Sequence, residues 1–381
     1  MRRRAFVRGL AAAGAGLAVP LPSAGAAAAA RPSAAGPSAA GSWQEVPAPA
    51  GQEAAHLAAV AAAGPAAAWA VGEQGRNGGT LGTPIALSWD GSAWSPTDLS
   101  HLTYSGGLRA VAAGPPGGAA WALGTDTAGH DQLLAWDGTT WRETDFPGRG
   151  EPGTRLTDVA SGTDGDFWVS GRHGDRAGLL HGDGRTWRWC SPLPDEAAPT
   201  PTGVHVTPGG DVWVFGDIIA RWDGAWTVVP RQLGIRASVS GLLPVAHDDI
   251  WLTGFAYGVG GPPGKPPGVT LQHWDGTRWT DVKAPFGVGL LSGIVGDADG
   301  RPDRIAGWDF WDQKRAHYLR WDGAAWVSER GPETATTFMP EALTRIPGPD
   351  GGYWSVGTTS SSPYPPAQLR IERLSAPRVV R

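Results

Sequence analysis

The sequence predicts an all-β fold, a seven-bladed β-propeller closed by an N-terminal outer strand. Three observations support this prediction: a Trp-containing strand motif that recurs roughly every 47 residues, a Trp-Asp-Gly turn that follows it, and the composition. The chain of 381 residues holds 58 Gly, 34 Pro and 21 Trp but only 5 Tyr. Such a composition is typical of many short strands joined by tight turns.

The first motif is a Trp, two mostly small or aliphatic residues and a Gly, and it predicts the second strand of each blade. It occurs at residues 69–72, 121–124, 168–171, 213–216, 251–254 and 354–357. A seventh copy, at 304–307, has Arg304 in place of the Trp. Short apolar segments such as 57–60, 108–111 and 156–159 precede the motif and predict the first strands.

The second motif predicts the third strand, a hairpin turn and the fourth strand. Asp-Gly follows a Trp in five copies and Gly182 in a degraded sixth copy, at Asp90, Asp137, Asp183, Asp223, Asp275 and Asp322. A closing Trp follows each turn, at Trp94, Trp141, Trp187, Trp226, Trp279 and Trp326. The Asp side chain can accept backbone N–H groups and Gly supplies a positive φ, so we interpret the motif as a turn rather than as a repeated catalytic carboxylate.

The two ends of the repeat region complement each other. The seventh unit ends near residues 371–374 without a closing Trp, and residues 42–47 read as the missing fourth strand. We therefore predict that these segments pair and close the ring. The motif positions then account for all Trp residues except Trp189, Trp308 and Trp311, and we expect the repeated Trp residues to pack between blades.

Taken together, the motifs of residues 42–374 resemble the Trp-rich secreted β-propellers, with a unit similar to the tectonin repeat. The resemblance implies binding of sugars or surfaces without catalysis. The chain differs from that family in its Asp-Gly turn and in its longer loops rich in Gly and Pro.

The N-terminus has the form of an export signal. Residues 3–8 (RRAFVR) resemble the twin-arginine motif, and a weakly hydrophobic segment rich in Ala and Gly follows them. We expect a signal peptide at 1–30, a disordered linker at 31–41, the propeller at 42–376 and a tail at 377–381. The predicted location is extracellular, after export of the folded protein.

Charge and cysteine content restrict the partners. Removing residues 1–30 takes away four Arg and leaves 27 Lys and Arg against 36 Asp and Glu, a formal charge of −9. This balance argues against nucleic acid and against anionic membranes. With Cys190 as the only cysteine, no internal disulfide can form. We expect a monomer without membrane insertion.

Calcium is the one cofactor that the sequence suggests. Asp297, Asp299 and Asp303 lie in the segment VGDADGRPDRIAG, which resembles the calcium loop of FG-GAP propeller repeats. The alternative is a solvated hairpin. The His residues are scattered singly, which disfavours a zinc site.

The predicted ligand site lies among the loops that vary between repeats, at 73–84, 125–132, 255–268, 308–317 and 358–366. The segment GWDFWD combines Trp308 and Trp311 with Asp309 and Asp312, as a sugar site requires. The proposed neighbours are Tyr257, Arg172 and His173. Alternatively, Trp308 replaces the Trp lost at Arg304.

These patterns favour a non-catalytic binding protein for an extracellular carbohydrate or cell-envelope ligand, with a protein partner as the next candidate. The alternatives are a polysaccharide hydrolase or lyase and a protein interaction scaffold.

Overall fold

The computed structural model describes residues 41–77, 79–234, 236–258, 266–348, 351–360 and 368–375. The predicted signal peptide, residues 31–40 of the predicted linker and the predicted tail lie outside these residues. Parts of the variable loops at 73–84, 255–268 and 358–366 also lie outside them. No helix in the described residues is long and apolar enough to cross a membrane.

The described residues form 28 strands in seven four-stranded antiparallel sheets, one for each blade. Blade 1 contains β2 (His56–Gly64), β3 (Ala67–Gln74), β4 (Thr83–Trp89) and β5 (Trp94–Pro96). Blade 2 contains β6 (Ala110–Ala113), β7 (Ala120–Thr125), β8 (Asp131–Trp136) and β9 (Trp141–Thr144). Blade 3 contains β10 (Arg155–Ser161), β11 (Phe167–His173), β12 (Arg176–Gly182) and β13 (Trp187–Trp189). Blade 4 contains β14 (Gly203–Val206), β15 (Val212–Phe215), β16 (Ile219–Trp222) and β17 (Trp226–Val229).

The remaining blades follow the same order, with one exception at the end. Blade 5 contains β18 (Ala237–Ala246), β19 (Asp249–Ala256), β20 (Gly268–Trp274) and β21 (Trp279–Asp281). Blade 6 contains β22 (Gly289–Gly296), β23 (Pro302–Asp309), β24 (His317–Trp321) and β25 (Trp326–Arg330). Blade 7 contains β26 (Thr337–Arg345), β27 (Tyr353–Ser360), β28 (Gln368–Leu374) and, as its outer strand, β1 (Trp43–Val46).

The ring closes as the sequence predicts. β1 pairs with β28 in antiparallel register, with Trp43 opposite Leu374 and Val46 opposite Ile371. The first strand of each blade contacts the first strand of the next, and β26 of blade 7 contacts β2 of blade 1. The seven-bladed propeller and its N-terminal latch are therefore confirmed.

The repeated Trp residues pack across the interfaces between blades. Trp354 of blade 7 lies 4.9 Å from Trp89 and 5.1 Å from Trp94 of blade 1, in edge-to-face geometry. Trp121 of blade 2 packs in the same way on Trp187 of blade 3, at 4.9 Å. Each such aromatic ring buries on the order of 150–250 Å², which explains why the chain contains so many Trp residues.

The Asp-Gly segments are turns. Asp90 Oδ1 accepts the backbone N–H groups of Ser92 at 2.8 Å and Ala93 at 2.9 Å. Gly91 has a φ of 100°, a value that favours glycine. These hydrogen bonds lower the pKa of Asp90 to about 2, with the bond from Ala93 as the largest cause. The same double acceptance recurs at four of the other turns, at Asp137, Asp183, Asp275 and Asp322.

Asp90→Ala should lower the melting temperature at pH 7, because two turn N–H groups lose their acceptor. The pKa is depressed in the folded state, so this stabilisation is present above the unfolded pKa of 3.8 and is lost as the pH falls through about 2. The difference from wild type should therefore shrink between about pH 4 and pH 2. Calorimetry at pH 7 and at pH 2 tests this, with Asp90→Asn as a control that keeps an acceptor oxygen. A difference that does not change with pH would contradict the role of the ionised carboxylate.

The interface between blades 6 and 7, which we call the closing seam, departs from the repeat. Arg304 occupies the second-strand Trp position, is 1% exposed and forms ion pairs with Asp303 and, at 3.3 Å, with Glu329. Tyr353 of blade 7 donates its hydroxyl hydrogen to Asp303, and the Arg304 guanidinium carbon lies 5.4 Å from the centre of the Tyr353 ring. A buried cation with its own counterions thus fills the place of a Trp.

The latch strand completes the same seam. Trp43 of β1 stacks on Tyr318 of blade 6, with ring centres 3.7 Å apart and an angle of 13° between the planes. The Tyr318 hydroxyl donates to Glu372 at 3.0 Å. Arg370 forms ion pairs with Glu372 at 2.9 Å and with Glu45 of β1 at 2.6 Å. The seam therefore joins the two ends of the described chain through aromatic and ionic contacts.

Candidate functional site

Strand direction divides the propeller into two faces. The connections between second and third strands and between one blade and the next lie on one face, which we call the variable face. The hairpins that join strands 1 to 2 and 3 to 4 lie on the other, which we call the hairpin face. Trp311 and Asp312 follow β23 and lie on the variable face.

A hydrogen-bonded turn holds the tip of the blade-6 loop. Asp309 Oδ1 accepts the N–H of Trp311 at 3.0 Å, and the Asp312 N–H donates to the Asp309 carbonyl at 3.1 Å. The Phe310 N–H donates to the Val288 carbonyl of the preceding connection at 3.1 Å. The backbone that carries Trp311 is therefore anchored to blade 6 and to the loop beside it.

The aromatic residues of this loop form a column. Trp308 is 8% exposed and packs edge to face on Phe310 at 5.8 Å. Phe310 packs in the same way on Trp311 at 5.0 Å. Trp311 is 79% exposed and is the most exposed large hydrophobic side chain in the described residues. The column therefore presents one indole to solvent on a supported base, and Trp308 belongs to the support.

Charged groups surround the foot of the column. Arg330 lies 3.5 Å from Asp309 Oδ2 and 3.4 Å from Asp312 Oδ2. His317 is buried, with Nδ1 3.3 Å from Asp309 Oδ2 and Nε2 2.8 Å from Ser328 Oγ. Asp309 thus organises both the Trp311 turn and the polar groups beneath it. We call Asp309, Trp311, Asp312 and Arg330 the blade-6 platform.

The sequence prediction did not name Arg330, His317, Ser328 or Phe310 as site residues, although the predicted variable loop 308–317 contains Phe310 and His317. A signal for three of them exists, because the Asp-Gly turn at 322–323 fixes the register of the β24–β25 hairpin. Counting outwards from the turn places His317 opposite Arg330 and Leu319 opposite Ser328. Phe310 has no such signal, since its contacts depend on the shape of the loop.

Trp308 does not occupy the strand position of the repeated Trp. In blade 1 the repeat residue Trp69 pairs with Ala61, and in blade 6 the equivalent residue Arg304 pairs with Val295. Trp308 pairs with Leu290 at the variable-face end of β23. Trp308 therefore lies at a different position of the strand from Arg304 and near the site.

The other predicted site residues lie on the variable face but at different distances around the ring. Tyr257 follows β19 of the adjacent blade 5, is 53% exposed and packs on Phe255 at 5.4 Å. Arg172 and His173 end β11 of blade 3, three blades away from blade 6. Arg172 donates to the Asp175 carbonyl at 2.6 Å, and His173 stacks on Trp189 at 5.5 Å. These two residues are not neighbours of Trp311.

The proposed calcium ligands have separate partners. Asp297 Oδ1 accepts the N–H groups of Asp299 and Arg301, both at 2.9 Å, in the hairpin between β22 and β23 on the hairpin face. Asp299 lies 3.5 Å from Arg301, and Asp303 belongs to the closing seam. In the described parts of the chain, no three His, Cys, Asp or Glu side chains are grouped so that they could hold a metal ion. The calcium site stays a prediction from the sequence.

The first strands enclose a central channel of about 620 Å³ that carries half-buried polar groups. Asp158 accepts the N–H groups of Val159 at 2.9 Å and of Val204 in blade 4 at 3.1 Å, and burial raises its pKa to about 6. Burial lowers the pKa of His205 to about 4. Because both Asp158 oxygens bond to the backbone, we assign this residue to the joining of blades 3 and 4.

Comparisons with known proteins support the fold. Neither a protein-family model nor a curated protein sequence gives a significant match. The structure of YCF48 bound to a D1 peptide is 12% identical over 91% of this chain and 99% of that chain, with a TM-score of 0.57. YCF48 from Cyanidioschyzon merolae is 15% identical over 87% of this chain and 98% of that chain, with a TM-score of 0.55.

A third similar structure is the GH74 xyloglucanase from Xanthomonas campestris, which is 17% identical with a TM-score of 0.53. The match covers 87% of this chain but 55% of that chain, so this protein spans about half the length of the xyloglucanase. At these identities the comparisons establish a shared propeller fold.

Proposed function

We propose that this protein binds an extracellular carbohydrate or cell-envelope polymer through the blade-6 platform. The observation that carries the proposal is the exposure of Trp311, at 79%, on a turn whose backbone is held by Asp309 and by blade 6. A flat aromatic ring beside hydrogen-bonding groups suits a sugar, which has apolar C–H faces and hydroxyl edges. Because the turn is already ordered, binding need not order a flexible loop.

The electrostatics of the platform favour a polyhydroxylated ligand. Asp312 is half-buried, Arg330 is exposed and the two lie 3.4 Å apart, so the site offers an acceptor and a donor, while the buried Asp309 holds the turn. A ligand with many hydroxyls can use both kinds of group. Among the similar structures are a xyloglucanase and a peptide complex, so the fold is compatible with a carbohydrate or a peptide. We favour a carbohydrate because of the supported indole.

We also propose that the protein is exported by the twin-arginine route and that its blades are of a tectonin-like type with Trp-Asp-Gly turns. The support is the motif RRAFVR at residues 3–8 and the repeat pattern itself. This location would give the platform access to envelope polymers.

Trp311→Ala should weaken binding of a recognised polysaccharide by about 30-fold or more, which corresponds to ~2 kcal/mol for a central aromatic anchor. The measurement is calorimetric titration or a binding assay with soluble and insoluble envelope and plant polysaccharides. Val228→Ala is the matched control, since Val228 is 51% exposed on the outer strand of blade 4. Val228→Ala should bind as wild type. Equal affinity of the Trp311→Ala variant and the wild type would contradict the proposed site.

A further inference from the structure

A serine, a histidine and an aspartate form a hydrogen-bonded chain beside the blade-6 platform. Ser328 Oγ lies 2.8 Å from His317 Nε2, and His317 Nδ1 lies 3.3 Å from Asp309 Oδ2. The imidazole and the carboxylate are buried, whereas Ser328 is exposed. In this arrangement a base can take the proton of a serine hydroxyl while a carboxylate orients the base.

Strand geometry explains why these groups meet. His317 and Leu319 point to the same side of β24, and Leu319 pairs with Ser328 of β25. Ser328 is thus the diagonal neighbour of His317 on that side of the sheet. Phe286, from the connection between blades 5 and 6, stacks on the imidazole at 4.2 Å with an angle of 22°. The ring is therefore held between Asp309 and Ser328.

The imidazole is in the form that accepts a proton. Burial and the charge of Arg330 together lower the pKa of His317 to about 4, against the opposite effects of Asp309 and Asp312. His317 is therefore neutral at pH 7. A neutral imidazole with one nitrogen towards a carboxylate directs its other nitrogen at the hydroxyl as an acceptor.

The outer edge of β25 offers donors for a developing negative charge. The Gly331 N–H donates to the Ala316 carbonyl of the neighbouring chain segment. Because bonding alternates along an antiparallel ladder, the N–H groups of Ser328 and Arg330 point away from β24. A carbonyl carbon bonded to Ser328 Oγ would hold its oxygen within reach of the Ser328 N–H, which would supply one donor of an oxyanion hole.

We infer that Ser328, His317 and Asp309 form an acyl-ester hydrolase site. Ser328 Oγ bonds to the ester carbonyl carbon while its proton passes to His317 Nε2. The bond from that carbon to the alcohol oxygen then breaks, and His317 gives its proton to the departing alcohol. Water attacks the acyl-serine with His317 again as base, and the carboxylic acid leaves as the proton returns to Ser328. Asp309 is a positioning residue.

The substrate class follows from the neighbouring platform. Asp309 Oδ1 holds the Trp311 turn while Oδ2 faces His317, so a sugar on Trp311 would lie close to Ser328. An O-acylated carbohydrate, such as an acetylated polysaccharide, fits this arrangement. This choice rests on the proposed carbohydrate binding, whereas the hydrolase site itself does not.

The test is hydrolysis of p-nitrophenyl acetate together with labelling by a fluorophosphonate, with the labelled residue identified by peptide mass spectrometry. We expect a covalent adduct on Ser328, and we expect Ser328→Ala to lower the hydrolysis rate at least about 100-fold. Ser95→Ala is the matched control, because Ser95 is an exposed serine on the outer strand of blade 1. Melting curves of both variants check that each remains folded, with a small decrease expected for Ser328→Ala because buried His317 loses a hydrogen-bond partner.

No adduct on Ser328, or the same hydrolysis rate in wild type and Ser328→Ala, would overturn the hydrolase site. Release of acetate from an acetylated xylan tests the substrate class. Hydrolysis of p-nitrophenyl acetate without release from the polymer would overturn the carbohydrate substrate while leaving the hydrolase site supported. Loss of polymer binding in Trp311→Ala with normal p-nitrophenyl acetate hydrolysis would support separate roles for the two residues.

Discussion

Trp43→Ala is expected to destabilise the propeller by about 3–5 kcal/mol, the usual effect of removing a buried Trp side chain. Trp43 is 5% exposed and stacks on Tyr318 across the closing seam. Trp43 also belongs to β1, the N-terminal strand that forms the outer edge of blade 7. Losing the indole should therefore weaken both the seam and the pairing of β1 with β28.

The measurement is urea denaturation combined with hydrogen exchange. Trp94→Ala is the matched control, since Trp94 is also 5% exposed and holds the same position in blade 1. We expect similar losses of unfolding free energy, but only Trp43→Ala should release exchange protection in β28, because β1 has no tight turn joining it to its neighbour. A double-mutant cycle with Tyr318→Ala should give a coupling of about 0.5–1.5 kcal/mol. An unchanged urea midpoint for Trp43→Ala would contradict the latch.

Arg304→Trp is expected to destabilise the protein by about 3–5 kcal/mol, although it restores the residue that the repeat has in the other six blades. The substitution leaves Asp303 buried without the cation that pairs with it, and leaves Glu329 with Arg320 as its remaining partner, at 3.1 Å. Burial raises the pKa of Asp303 and lowers that of Arg304, so each charge is maintained at a desolvation cost that the pairing offsets. Removing one partner leaves the cost of the others uncompensated.

A triple variant that also removes the two carboxylates separates the loss of ion pairing from the steric misfit of the new Trp side chain. Blade 4 has Val212 before its Trp and Val229 at the position equivalent to Glu329. The triple variant Asp303→Val, Arg304→Trp, Glu329→Val copies that pattern and should recover part of the stability, because it leaves neither carboxylate unpaired. The recovery should be partial, because Arg320 loses Glu329 as its partner. Urea denaturation of the single and triple variants provides the comparison. Greater stability of the single variant than of wild type would show that the ionic cluster does not stabilise the seam.

Much of the fold follows from the sequence because a propeller repeats one unit. The spacing of Trp69, Trp121 and their equivalents gives the strands, and the Asp-Gly turns give the register of each outer hairpin. The missing closing Trp at the C-terminal end and the presence of Trp43 at the other predict the latch. Each of these inferences depends on local contacts or on a pattern shared by several blades.

The closing seam and the site depend on contacts that no repeat encodes. The loss of one Trp at Arg304 does not reveal that Asp303, Glu329 and Tyr353 replace its packing, because Glu329 and Tyr353 lie on two other strands. The sequence predicts that Arg172 and Trp311 lie on the same face, but it does not show how far apart blades 3 and 6 hold them around the ring. The exposure of Trp311 and the burial of Trp308 likewise depend on the fold of a single loop.

The most direct test of the account is oxidation footprinting of the Trp residues with N-bromosuccinimide, mapped by peptide mass spectrometry with and without a bound polysaccharide. Trp311 is 79% exposed and should be oxidised first in the free protein. A bound carbohydrate should protect Trp311 and leave the pattern at the hairpin face unchanged. Oxidation of Trp311 at the same rate in the complex, with protection of other residues, would contradict carbohydrate binding at the blade-6 platform.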